Sequence, residues 1–67
     1  MLIKRSFSLS GHRTSVALEP AFWDALGEIA QIRDQPVAAL VAQIDSARTA
    51  IQPLTSALRV FVLQNRP

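Results

Sequence analysis

Few side chains in this sequence can do chemistry, and their spacing limits what that chemistry could be. Asp24 and Glu28 stand four residues apart, so a helix would bring them to one face, as general acid–base catalysis would need. Like charges at that spacing mildly repel, and a solvated helix face accounts for the pair more simply. Ser6, Ser8, Ser10 and Ser15 lie around His12, yet a serine nucleophile needs an oriented base. His12 falls in a turn-like stretch with no carboxylate near it in sequence, so no catalytic set forms. Cysteine is absent, His12 is the only histidine and the five carboxylates are scattered, so neither disulfides nor a metal site is expected. The residues point away from an enzyme and a cofactor, and toward binding.

Charge distribution says more than the net charge of +2. Residues 1–18 hold Lys4, Arg5 and Arg13 with no acid, whereas residues 19–45 hold Glu19, Asp24, Glu28, Asp34 and Asp45 against Arg33 alone. Residues 46–67 return to Arg48, Arg59 and Arg66 with no acid. The N-terminal end is thus a basic surface suited to an anionic partner.

The elements that must position these groups follow from periodicity. From Arg13 to Leu18 the chain alternates Arg13, Ser15 and Ala17 with Thr14, Val16 and Leu18, the period of a half-buried β-strand. A lone strand cannot leave its amide and carbonyl groups unpaired, so its partner lies elsewhere in the chain or in a second copy. Residues 3–9 alternate too, with Ile3, Arg5, Phe7 and Leu9 on one face and Lys4, Ser6 and Ser8 on the other. Ser10-Gly11-His12 would supply a turn, Gly11 being free to take a positive φ. Two readings of residues 1–12 stay open: an extra strand folded onto 13–18, or a flexible basic arm.

Glu19-Pro20 opens a first helix expected over 20–33, with Phe22, Leu26, Ile29 and Ala30 as its apolar stripe and Trp23 beside it. Asp34-Gln35-Pro36 breaks the pattern, because a residue before proline avoids helical geometry. A second helix is expected over 36–48 on Val37, Leu40, Val41 and Ile44. A third, over 54–64, carries Leu54, Ala57, Leu58, Phe61 and Val62, with Val60 and Leu63 making it apolar on most sides. Trp23 and Phe61 read as core residues packing the first helix against the third. The whole chain, 1–67, is expected to be one domain, mainly α with one short β-ribbon.

A chain of 67 residues usually needs a staple to be stable, and without disulfides or metal the remaining one is a second subunit. The hydrophobic fraction of 49% agrees with apolar surface shared between copies. No apolar run approaches a membrane span and no signal-peptide pattern opens the chain, so a cytoplasmic protein with no membrane partner is expected.

The run His12-Arg13-Thr14-Ser15-Val16-Ala17-Leu18-Glu19, then Phe22-Trp23 and Leu26, then Ser56-Ala57-Leu58-Arg59-Val60-Phe61-Val62-Leu63, resembles the ribbon-helix-helix DNA-binding proteins. The likeness is to their small bacterial subfamily with an added C-terminal helix, over about residues 4–64. It implies an intertwined homodimer in which the strand 13–18 pairs antiparallel with its copy and the two-stranded ribbon lies in the major groove of double-stranded DNA. Dimerisation would then build the core as well as the ribbon, from Val16, Leu18, Phe22, Trp23, Leu26, Leu40, Ile44, Leu58 and Phe61.

By the same resemblance, Arg13, Ser15 and Ala17 fall where the family reads base edges. The backbone amides of Val37 and Ala38 fall where it clamps a phosphate at the start of the second helix. Pro36 stands where a serine or threonine cap often sits, which removes one donor and one hydroxyl. Lys4, Arg5 and His12 would add phosphate contacts. The implied function is a transcriptional regulator; the alternative is an antitoxin-like or other interaction module whose apolar segment 54–64 captures a partner protein.

Overall fold

The computed structural model describes residues 1–66. Two strands, β1 (Ile3–Leu9) and β2 (His12–Leu18), are followed by three helices, α1 (Pro20–Ile32), α2 (Val37–Ala47) and α3 (Leu54–Asn65). The strands pair antiparallel as a two-stranded sheet, in a register running from Ile3 opposite Leu18 to Leu9 opposite His12. Of the two readings of residues 1–12, the structure takes the hairpin. Its turn is the reason: Ser10 has φ 50° and Gly11 φ 80°, the two positive values that match a tight turn to the strands' right-handed twist.

The register sorts the hairpin into two faces. Phe7, Leu9, Val16 and Leu18 are buried against the helices, with Ile3 packed beside them. Lys4, Ser6 and Ser8 on β1 share the other face with Arg13, Ser15 and Ala17 on β2.

Proline opens each helix or caps it. Pro20 is the first residue of α1, while Pro36 and Pro53 cap α2 and α3 in extended backbone. The end of α1 is closed by Asp34, which takes φ 55°, so that its own N–H bonds to the Gln31 carbonyl and that of Gln35 to the Ala30 carbonyl. This paired closure satisfies carbonyls that a helix end otherwise leaves open.

One chain encloses a core. Leu18, Leu26, Leu40, Val41 and Leu58 are fully buried, and Val16 nearly so, which joins β2 to all three helices. Within it β1 gives β2 its hydrogen-bonding partner and α3 supplies Ala57, Leu58 and Val62.

The structure also exchanges the roles of two aromatic residues. Trp23, rather than Phe22, heads the buried stripe of α1, with Leu26, Ile29 and Ala30. Its indole Nε1 donates to the Ile3 carbonyl at 2.8 Å and its ring lies 5.8 Å from that of Phe7, so Trp23 packs against the hairpin. Half-buried Phe22 meets α3 instead, under the Arg59 guanidinium at 5.6 Å. Phe61 is likewise half-buried, with Arg33 over its ring at 5.2 Å.

Candidate nucleic-acid interface

The outward face of the hairpin brings six side chains onto one ribbon surface. Their cross-strand pairs are Ser8 with Arg13, Ser6 with Ser15 and Lys4 with Ala17. All are exposed except Ala17, which is half-buried. No acid interrupts them, and every polar group among them can donate a hydrogen bond. Such a surface suits an acceptor-rich anion.

Lys4 and Arg13 are the cations of this face, and of the two Arg13 carries the forked guanidinium. Its Nη1 donates to Ser8 Oγ at 3.3 Å, which orients the guanidinium along the ribbon. Ser15 and Ser6 lie side by side at the middle, and the Ala17 methyl faces outward near Lys4. Arginine, hydroxyl and methyl in alternation can meet guanine, a mixed donor–acceptor edge and thymine respectively.

Two of the residues expected at phosphates lie elsewhere. Arg5 belongs by register to the helix-side face, and its guanidinium sits 4.9 Å above the Trp23 ring. There it covers the indole with a cation–π contact while remaining solvent-exposed. His12 is exposed at the hairpin tip opposite Leu9, beside the turn.

At the start of α2, the Ala39 and Leu40 amides turn back to the Pro36 carbonyl at 3.0 and 3.2 Å. The helix ladder therefore leaves the Val37 and Ala38 amides as its free donors, and Pro36 makes no side-chain cap. Ala38 is exposed and Val37 half-buried, so an anion could approach Ala38 more openly.

Beneath the ribbon, Glu19 links β2 to α3. Its Oε1 accepts from Arg59 Nη2 at 2.9 Å and from Nε at 3.2 Å. This arginine hydrogen bond holds the Glu19 carboxyl below the usual glutamate range. A carboxylate with a lowered folded pKa stabilises the fold above its unfolded pKa, and that contribution is lost as pH falls through the folded value. The pair is solvent-exposed, so the effect is small. Glu19→Gln should accordingly leave the melting temperature almost unchanged below the glutamate range and lower it slightly at neutral pH. Thermal melts of both proteins across that range test this; an equal difference at every pH would refute it.

A further concavity, of about 360 Å³, lies between α2 and α3. Leu40, Ile44, Ala57 and Phe61 line it, with Arg33 and Arg48 among its polar lining. Next to it on α3, Val60 is 40% and Leu63 65% exposed. Among the described residues, no group of three or more His, Cys, Asp or Glu could hold a metal ion, and no helix is long and apolar enough to cross a membrane.

Ser6 and Ser8 are the groove-facing candidates that a strand over residues 3–9 implies, whereas the Glu19–Arg59 pair, forty residues apart, is a contact that residue types alone do not single out. The alternation of residues 3–9 already placed Lys4, Ser6 and Ser8 on one face; which strand they would lie beside was a tertiary matter. No curated protein and no solved structure matches the chain. A family model described as the ribbon-helix-helix domain matches residues 2–65, nearly the full length. With both strands and all three helices inside the matched residues, the chain belongs to the ribbon-helix-helix domain family.

Proposed function

We propose that this protein is a sequence-specific DNA-binding homodimer, a bacterial transcriptional regulator acting in the cytoplasm on a two-fold symmetric site. The observation that carries the reading is the outward ribbon face, where Arg13, Ser15 and Ala17 alternate with no acid nearby. Family membership supports it, and β2 is then the strand that reads DNA. In this reading the unpaired edge of β2 takes up the same edge of a second copy, and the central pair of strands faces the major groove. Arg13 reads guanine through two parallel donors, Ser15 reads by donating or accepting, and Ala17 offers a methyl contact. The Val37 and Ala38 amides, with Lys4, hold phosphates and fix the register without specifying sequence.

Selection from a randomised duplex library at low salt tests the proposal. The expected result is enrichment of a palindromic motif, with an affinity that falls steeply as salt rises. Absence of any enriched motif would overturn it.

A second reading rests on exposed Val60 and Leu63 and the neighbouring concavity between α2 and α3. Contiguous apolar surface of this kind suits a protein partner. An antitoxin-like protein would combine the two, binding DNA with its ribbon and a partner protein with residues 54–64. A small toxin gene beside this one would favour it.

A further inference from the structure

The family's ribbon needs one strand from each chain, but here β2 already has β1 on one side. If β2 pairs through its remaining edge, as the proposed homodimer requires, the sheet becomes four strands wide, in the order β1, β2, β2 of the second copy and β1 of the second copy. Neighbouring strands lie about 4.8 Å apart, so the two central strands sit roughly 2.4 Å from the midline and the outer two about 7 Å from it. The major groove is about 12 Å wide, which puts its walls about 6 Å from the same midline. The central strands fit between those walls; the outer ones cannot.

We infer that β1 rides along the rim of the groove and that Lys4 and Ser6 contact the phosphate backbone from there. This rests on the homodimer reading above and adds a second tier to it. The register supports the division. Each outward residue of β1 lies beside one outward residue of β2, so every reading position has a rim neighbour on the same face. The residue types agree as well: Lys4 is a point charge on a flexible stem, and Ser6 carries a short hydroxyl donor, both common partners of phosphate oxygens. β1 carries no outward amide or guanidinium of the kind that reads a base edge in paired fashion. Ser8 has a different task, since it already accepts from Arg13 and so positions the reader next to it.

Two variants separate the rim role from base reading, with Ser8 left intact because it holds Arg13. Ser6 and Lys4 are exposed, so neither Ser6→Ala nor Lys4→Gln should disturb the fold, which circular dichroism checks. Affinity is measured by fluorescence anisotropy on an enriched duplex and on a scrambled duplex of the same length, over a range of salt. Ser6→Ala should weaken binding to both duplexes by the same factor, roughly five- to 150-fold for two lost hydrogen bonds per dimer. Lys4→Gln should make the slope of log affinity against log salt shallower by about two, for two phosphates released per dimer.

Unchanged affinity and slope in both variants would remove β1 from the DNA and overturn the inference, even with the wild type binding tightly. A changed preference between the two duplexes in Ser6→Ala would place β1 inside the groove and overturn it too. Failure of the wild type to bind either duplex would instead refute the DNA-binding reading, and the inference with it.

Discussion

Replacing Leu58 by alanine is expected to lower the melting temperature by roughly 8–40 °C, at about 4–8 °C per kcal/mol for a domain of this size. Leu58 is fully buried, where α3 meets the rest of the core. Truncating a buried leucine costs about 2–5 kcal/mol, the lost transfer energy plus the cavity left behind. A chain of this length has only roughly 3–10 kcal/mol of stability to lose. The change therefore takes a large share of the whole and unfolds much of the population near physiological temperature. Leu63, on the same helix but 65% exposed, serves as control, because Leu63→Ala should fall within about 0.5 kcal/mol of the wild type. Equal, small shifts in the two variants would show that α3 is an appendage and not part of the core.

The second large effect concerns binding. Arg13→Ala should reduce affinity for the enriched duplex by at least about tenfold, since a paired arginine–guanine contact discriminates by about 1–3 kcal/mol and a dimer has two. Affinity for a scrambled duplex should fall much less, so the ratio between the two duplexes shrinks. Because Arg13 is exposed and its one side-chain partner, Ser8, is exposed as well, the melting temperature should not move. Electrophoretic mobility shifts with both duplexes give the ratio directly. A parallel loss on the two would assign Arg13 to phosphates and leave base reading to other residues.

What the sequence made legible was the part that periodicity controls. The alternation through Arg13 to Leu18 and the stripes on the three helices are local signals, each read without knowing where the element packs. The division of the hairpin into a serine-rich outer face and an apolar inner face followed from the same alternation. What stayed hidden depended on contacts between distant residues. Phe22 and Trp23 are adjacent and both apolar, and only the Ile3 carbonyl, twenty residues back, decides that the indole is the one drawn inward. Arg5 was assigned to phosphate on its charge, although its register already placed it with Ile3 and Phe7; the Trp23 ring that occupies it there comes from another element. The choice between arm and hairpin turned on Ser10, a residue whose type does not announce a left-handed backbone. Asp34 escaped notice for the same reason, read as the start of a break when it closes α1.

The hairpin that pairs β2 within its own chain has a kinetic consequence. Its closure joins residues only three apart at Leu9 and His12 and then zips outward to Ile3 and Leu18, and the helices that cover it follow in order along the chain. Folding can then begin with a short loop, whose closure costs little entropy, before pairs such as Glu19 and Arg59 join distant parts of the chain. In an intertwined pair a chain must meet its copy before it can finish folding, so the rate depends on concentration. Here β2 finds a partner strand within its own chain, so closure of the hairpin itself does not depend on concentration.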